Sequence, residues 1–456
     1  MAGLSDLLSI ATSAMQTQQR ALNVTGNNIA NTSTPGYTRE SLNITEAVPL
    51  RTPEGLVGRG VTDTGVIAQR DTFLDAAYRT QQGIFSQADS LNTLVTQVQT
   101  LFNEPSDQGI GATLDSFLGA WGDLANDPQS GAARVVVQQD AVQLTQQFHQ
   151  LDQGLDQVSQ SASDQFKSDV GQINSISSQI AELNKQIVAF GGQNDQAAPL
   201  QDKRGVLLDQ LAGIANTRVL DRADGSVGVI VGDDLVVDEG VSQQLETRTK
   251  SDGTLGVGVV GDTKFVEIDS GSLAGFSDVI NKSVAQVRTS LDTLVAAMVQ
   301  TINSLHESGK TTANTTGTDF FDPAGLTAAS VNLAAPIAAS ASNIVTGATS
   351  ADGDNSVALQ IAALRTTGVA ALGGTTLGDN YTSIVTGVGT MVSTATQQSA
   401  AAKVISDGLQ AQRSSETGVS TNDEMIALIT QQQAFTAAAH IVTVADDLMQ
   451  EVLKMV

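Results

Sequence analysis

Residues 27–39 run NNIANTSTPGYTR, and this segment, which we call the signature segment, decides how the chain is organised. Before it, apolar residues at spacings of three and four predict an amphipathic helix. The amides of Asn27, Asn28 and Asn31 can bond their own backbone at the helix end, and Pro35-Gly36 predicts a turn. We therefore expect the chain to leave a helix here and to continue as an extended segment.

Outward from the signature segment, the same apolar spacing recurs and predicts long helices with coiled-coil-like seams. The stretches cover residues 4–29, 84–102, 137–158, 173–190, 280–305, 384–409 and 428–452. A period near 3.5 favours a left-handed supercoil, so we expect an elongated helical rod. An ordinary compact bundle uses the same stripes, and the stripes alone do not separate the two.

Three segments break the helical pattern. Over residues 38–68, prolines and glycines separate short alternating runs, which predicts an extended loop with some β-structure. Over residues 217–268 the period becomes two, with Asp-Gly and Gly-Asp pairs as turn signals. The candidate strands are 227–231, 235–237, 244–249, 254–260 and 264–268. Residues 311–380 are predicted to be irregular, with one short helix near 357–364. The expected fold class is mainly α with a small inserted antiparallel β domain.

Composition excludes several classes of protein. The 456-residue chain has a net charge of −25, which repels phosphate, so no nucleic-acid partner is expected. It has no cysteine, which excludes disulfides and thiolate metal sites. The N-terminus lacks the basic and apolar regions of a cleaved signal peptide, and no apolar run approaches ~18 residues, so membrane insertion is not expected.

Motifs that would carry chemistry are weak. Gly256, Gly258 and Gly261 match a dinucleotide-binding pattern, but they lie in a strand-like run where a hairpin is the better interpretation. The acidic run at 352–355 lacks the glutamate that would complete a calcium loop. The three histidines stand apart from other metal-ligand residue types. The sequence therefore predicts no catalytic site, no cofactor and no metal, and we do not expect an enzyme.

The signature segment resembles the N-terminal motif of the flagellar rod, hook and hook-associated protein family. The matching residues are Asn27, Asn28, Ile29, Asn31, Thr34, Pro35, Gly36 and Tyr37. The ending Tyr37-Thr38-Arg39 resembles the hook-associated members in particular. Further similar stretches follow in the family's order at 58–73, 126–134, 200–211 and 418–456.

Two departures from the family pattern are visible. The entry to the last helix, residues 419–424, keeps only part of the usual sequence. Larger members carry an additional outer β domain after a segment like Asp319-Phe320-Phe321, whereas this chain passes directly into alanine-rich sequence. We therefore expect a shortened member without that outer domain.

The resemblance implies a structural, self-assembling subunit at the hook–filament junction of the bacterial flagellum, needed for filament assembly. It implies an extracellular location reached through the flagellar type III apparatus, without a cleaved signal peptide. The implied partners are identical subunits in a ring, the hook protein, a second junction protein and an export chaperone at the C-terminal helix. The alternatives are a rod or hook subunit, which should lack the regions around Arg134 and 202–204, or an exported adhesin or enzyme on the same scaffold.

The resemblance also implies that the two terminal helices pair in an inner tubular layer. The predicted assembly interface consists of Leu4, Leu8, Met15, Leu22, Ile29, Leu428, Phe435, Val442, Met449 and Val452. Each stripe is too narrow to stabilise an isolated helix well, so we expect disordered termini in the monomer that become ordered on assembly. The alternative is that both helices dock on the core of their own monomer.

Three domains follow, two of them discontinuous because both chain ends contribute. Residues 1–36 and 414–456 are expected to form a terminal coiled-coil assembly domain. Residues 37–215 and 272–413 are expected to form a helical rod domain with irregular loops. Residues 216–271 are expected to form the inserted β domain.

Overall fold

Long helices dominate the structure, a computed structural model that describes residues 2–52, 55–191 and 197–454. The helices are α1 (Ala2–Ala30), α2 (Thr72–Phe102), α3 (Ile110–Asn126), α4 (Gly131–Ala189), α5 (Ala198–Ile214), α6 (Ser272–Asp278), α7 (Val284–Glu307), α8 (Ala335–Ala339), α9 (Ser356–Ala363), α10 (Leu377–Thr417) and α11 (Thr421–Lys454). Together with small antiparallel sheets, they confirm the expected fold class.

The strands occupy two of the three segments that break the helical pattern, 38–68 and 217–268. They are β1 (Glu40–Glu46), β2 (Leu50–Thr52), β3 (Gly55–Val57), β4 (Val61–Ala68), β5 (Thr217–Asp221), β6 (Val227–Val231), β7 (Asp234–Asp238), β8 (Val241–Ser242), β9 (Leu245–Thr249), β10 (Leu255–Val259) and β11 (Phe265–Val266). β1 pairs with β4 and β2 with β3, which makes a long hairpin. The inserted region forms a four-stranded sheet, β5-β6-β7-β8, and a three-stranded sheet, β11-β10-β9.

Helix α4 is the longest helix of the rod. It has 59 residues, which corresponds to about 90 Å at 1.5 Å per residue. Ser130 begins it by accepting a hydrogen bond from the Ala133 amide at 3.2 Å. The two apolar stretches that flank residues 159–172 lie on this one helix, because buried Ala162, Phe166 and Val170 continue the spacing between them.

Helix α10 packs along α2, and its buried face includes Val388, Ala395 and Ala402 of the predicted apolar stripe but also polar residues outside that stripe. Ile405 is 53% exposed, whereas Ser399, Ala402 and Ser406 are buried. Small residues allow the two helices to approach closely, and polar ones bond across: the Ser406 hydroxyl donates to Gln82 Oε1 at 3.0 Å. Beyond about residue 395, this contact is therefore narrow and largely polar.

Asparagines on helices fasten the β-strands to the rod. Asn184 on α4 donates to the Val227 carbonyl at 2.8 Å and accepts from the Val227 amide at 3.2 Å. Asn174 does the same with both backbone groups of Leu245, at 2.8 Å each. Strand residues such as Val229 and Val257 also belong to the same continuous core as α4. The inserted strands therefore pack as part of the main core.

A buried aromatic cluster closes the far end of the rod, where α3, α7 and residues 318–345 meet. His306 lies within it, with Trp121 and Phe320 ring centroids at 6.3 and 5.5 Å. Its Nδ1 donates to the Thr318 carbonyl, and its Nε2 accepts from the Val345 amide at 3.0 Å. Because Nε2 is an acceptor, this geometry requires a neutral imidazole, and burial lowers the pKa of His306 to about 4.

Candidate assembly interface

The two chain ends meet in an antiparallel helix pair formed by α1 and α11. The Thr25 hydroxyl donates to Gln431 Oε1 at 3.1 Å, and Asn28 Nδ2 donates to Glu424 Oε2 at 3.0 Å. Contacting residues thus rise in number along α1 while they fall in number along α11, so the two helices run in opposite directions. Residues more than 390 positions apart in sequence thus form one structural unit.

Small side chains occupy the most buried positions of this pair. Ala11 and Ala21 on α1 and Ala438 and Ala445 on α11 are buried. The ten residues of the predicted assembly interface lie on the same two helices, and all but Leu4 and Val452 are at heptad spacing. Nine of them are half-buried and Met449 is exposed. The seam thus leaves part of each large apolar side chain open to contact from outside.

Helix α11 also carries large apolar side chains that point away from the seam. We call them the exposed apolar set: Met425, Ile426, Ile429, Ile441, Val444, Leu448 and Leu453. Within 425–429 and within 441–448, successive members of the set lie about one helical turn apart or closer, and clustered exposed apolar side chains are typical of surfaces that bind other proteins. Three- and four-residue spacings within the set were visible in the sequence, but the heptad seam was the stronger pattern and masked them.

Asn28 of the signature segment, which is 1% exposed, holds α1 against the N-terminal end of α11. Asn28 Nδ2 donates to the Glu40 carbonyl at 2.8 Å, and its Oδ1 accepts from the Glu40 amide at 3.0 Å. The Tyr37 hydroxyl donates to the same Oδ1 at 2.9 Å. Arg39 Nε donates to Glu424 Oε1 at 2.6 Å. One asparagine therefore joins α1, the start of β1 and α11.

The remaining signature residues shape the turn between α1 and β1. Asn31 Nδ2 donates to the Asn27 carbonyl at 3.0 Å, and the Thr34 hydroxyl donates to Asn31 Oδ1 at 3.1 Å. Gly36 has φ +77°, and a Cβ there would lie 2.2 Å from Val206 Cγ2. Glycine is thus required for both conformation and space. Ile29 lies half-buried on the seam side of α1, and Pro35 is exposed.

Asp202 on α5 connects the signature segment to the rod. Its carboxylate accepts from the Thr38 amide at 3.1 Å and the Thr38 hydroxyl at 2.8 Å, and it pairs with Arg70. Burial raises the pKa of Asp202, and Arg70 opposes that shift. Burial together with the nearby carboxylates of Glu40, Asp202 and Glu424 raises the pKa of Tyr37, which keeps its hydroxyl a donor.

A second ion-pair group lies beside Asp202 and joins three rod helices. Arg413 on α10 contacts Asp75 on α2 at 2.8 Å and Asp209 on α5 at 2.6 Å. Arg79 contacts the same Asp209 at 2.7 Å. The sequence does not single out Glu424, Asp209 or Arg413, because a single charge on a helix carries no local signal of its distant partner.

Other kinds of site find little support in the part of the chain that the structure describes. No group of three or more His, Asp or Glu side chains is placed to hold a metal ion there. No described helix is both long and apolar enough to cross a membrane. Gly256 and Gly258 lie in β10, which pairs with β9 and β11, and Gly261 lies in the following turn with φ +85°. The hairpin interpretation of these glycines therefore agrees with the structure.

Three protein-family models match separate parts of the chain. The flagellar hook-associated protein FlgK helical domain matches residues 95–321. The flagella basal body rod protein matches residues 8–38, and the C-terminal part of the flagellar basal body rod FlgEFG protein matches residues 410–455. The last two ranges fall on the antiparallel pair and the signature segment.

Individual proteins give the same result. Flagellar hook-associated protein 1 of Bacillus subtilis (strain 168) is 28% identical over 493 residues, covering 98% of this chain and 97% of the relative. The protein of that name from Salmonella typhimurium is 26% identical, over 70% of this chain and 59% of the relative. The flagellar hook junction protein FlgK from Burkholderia pseudomallei has a similar fold over 54% of this chain and 46% of that chain, with a TM-score of 0.50 and 23% identity. These matches reach both terminal helices and the rod between them. The chain carries the FlgK helical domain match and is similar to flagellar hook-associated protein 1 along nearly its whole length.

Proposed function

We propose that this protein is a structural subunit of the bacterial flagellum that forms the junction between hook and filament and is needed for filament assembly. The observation that carries the proposal is the pairing of α1 with α11, which leaves the exposed apolar set on α11 uncovered. A pair of helices from opposite chain ends, with apolar groups on its outside, suits a subunit that buries them against neighbours. The proposed role is structural rather than enzymatic.

The proposed partners are identical subunits in a ring, the hook protein below and a second junction protein above. The proposed assembly interface is the ten-residue set Leu4, Leu8, Met15, Leu22, Ile29, Leu428, Phe435, Val442, Met449 and Val452, extended by the exposed apolar set. Their partial exposure supports this role, because half-buried apolar side chains can gain further burial on assembly. The terminal assembly domain would comprise 1–36 and 414–456, although α10 itself continues to Thr417.

Export would place the protein outside the cell, by the flagellar type III route and without a cleaved signal peptide. A dedicated chaperone at α11 fits this route, because the exposed apolar set would otherwise invite premature association. The rod domain would comprise 37–215 and 272–413, and the inserted β domain 216–271. Buried Arg134, which donates to the Ile344 carbonyl at 3.1 Å, supports the hook-associated assignment over a rod or hook subunit.

Electron microscopy of a deletion strain tests this function. The expected phenotype is complete hooks without filaments, with filament protein released into the medium, and restoration by the intact gene. Loss of the hook itself would instead indicate a rod or hook subunit. Normal filaments on the deletion strain would contradict a structural role at the junction.

A further inference from the structure

A cavity of about 560 Å³ lies between α2, α5 and the β5–β6 turn, and arginines are the commonest charged residues in its wall. Its charged lining residues are Arg70, Arg79, Arg204, Arg218 and Arg222 against Asp75 and Asp221. The whole chain has 23 basic and 48 acidic residues, so five arginines at one cavity are a marked local concentration of positive charge. The hydroxyl residues Thr72, Thr217 and Ser226 also line it.

Three of these arginines have carboxylate partners. Arg70 pairs with Asp202, Arg79 with Asp209 at 2.7 Å, and Arg222 with Asp238 and with Glu239 at 3.0 Å. Such pairs hold the surrounding elements together and neutralise the charges of these three arginines. The charges of Arg204 and Arg218 are not neutralised in this way by any residue that the structure describes.

Arg204 and Arg218 have no carboxylate within 4 Å among residues 2–52, 55–191 and 197–454. Arg204 is only 8% exposed, and its Nη1 bonds neutral acceptors, Asn184 Oδ1 at 2.9 Å and the Gly225 carbonyl at 2.8 Å. Arg218 on β5 is exposed. A buried guanidinium with neutral partners has positive charge left to neutralise.

Two further observations point to an anion. Arg70 Nε is buried and donates no hydrogen bond to a described protein atom. Burial lowers the pKa of Arg204 to about 10; the positive charges of Arg70 and Arg79 add to this shift, and Asp221 and Asp224 only partly oppose it. An oxyanion between these side chains would supply both the missing acceptor and the missing negative charge, and the guanidinium fork matches phosphate geometry.

We propose that this arginine-lined cavity binds a small multivalent oxyanion of the phosphate class. The ligand would contact Arg204 and Arg218 and lie where α5 meets the inserted strands. Binding would stabilise the folded state by an amount that grows with the logarithm of anion concentration above Kd, since the cavity exists only when these elements are docked. The site is separate from the assembly interface and independent of the junction role.

Calorimetric titration of the purified full-length protein with sodium phosphate tests the proposal, with sodium chloride at equal ionic strength as reference. We expect saturable one-site binding of phosphate and a matching rise in Tm. Arg218→Gln should weaken binding by about tenfold without lowering the Tm of the anion-free protein, because loss of one charge-assisted hydrogen bond is of that size. Arg59→Gln, which removes an exposed arginine of the β1–β4 hairpin, is the matched control and should bind normally.

Arg204→Lys provides a second variant that keeps the charge but loses the fork, and it should also bind phosphate more weakly. Heat of dilution alone for the parent protein would overturn the proposal. So would equal phosphate affinity in the parent and in Arg218→Gln. Either result would mean that these arginines serve only the internal contacts of the rod.

Discussion

Arg39 Nε lies 2.6 Å from Glu424 Oε1 and joins the signature segment to a helix 385 residues further along the chain. Glu424 is 1% exposed, and its other oxygen accepts from Asn28 at 3.0 Å. A buried carboxylate persists only when charged or polar donors surround it. This pair therefore holds the N-terminal end of α11 in position against the signature segment.

Arg39→Met should loosen the docking of α11, because it leaves the Glu424 carboxylate buried with one donor fewer. We expect a loss of about 1–3 kcal/mol in the free energy of local unfolding, measured by hydrogen exchange of α11 amides. The double variant Arg39→Met, Glu424→Met should recover part of this loss. Additive losses in the double variant would contradict a direct coupling between the two side chains.

Local periodicity predicted much of this fold, because a helix or strand buries one face over consecutive turns. The strand at 227–231 and the short helix near 357–364 were placed correctly. The buried face of α10 was only partly predicted, since Ser399 and Ser406 are buried but do not count as apolar. Glu424 and Asp202 could not be paired with Asn28 and Thr38 from sequence, because those contacts depend on how distant elements pack.

Terminal mobility in the free subunit remains a prediction, and the structure sharpens it. The α1–α11 seam buries mainly alanines and half-buries its larger residues, so it contributes less apolar burial than the α4 core. Hydrogen exchange should show little protection in roughly the first and last ~30 residues and strong protection in α4. Equal protection of α11 and α4 in a confirmed monomer would favour stable docking of the termini.

Acid should destabilise the aromatic end of the rod through His306. Its pKa falls from the ordinary 6.5 to about 4 on folding, so the unfolded chain binds more protons between these values. Stability is complete above pH 6.5 and is lost as the pH falls towards 4. The loss by pH 4.5 should be about 2 to 3 kcal/mol, and chemical denaturation can measure it.

His306→Gln is the variant that isolates this effect. It should be less stable than the parent at pH 7 but should lose less stability between pH 7 and 4.5. His440→Gln, on the exposed side of α11, is the control and should follow the parent. Identical pH profiles for parent and His306→Gln would exclude His306 as the source.

Asn184→Leu tests whether the hydrogen bonds of Asn184 fasten the inserted strands to α4. The change leaves both backbone groups of Val227 and the Arg204 guanidinium without their shared partner, and it should cost about 3 kcal/mol of unfolding free energy. Asn174→Leu, at a half-buried position with two such bonds, should cost about 1 kcal/mol. If Asn184→Leu melts like the parent, the strands are docked by apolar packing alone.

The central claim is that α11 is an assembly surface, and filament formation by Phe435→Asp tests it most directly. The aspartate would place an unpaired charge in the half-buried seam, where full burial in the assembled junction costs several kcal/mol. Gln433→Asp, at an exposed polar position, is the matched control. Secretion of each variant is measured first, because an export chaperone could grip the same helix. We predict that Phe435→Asp is secreted and folds but supports no filaments, while Gln433→Asp supports normal ones; full-length filaments from secreted Phe435→Asp would contradict the account.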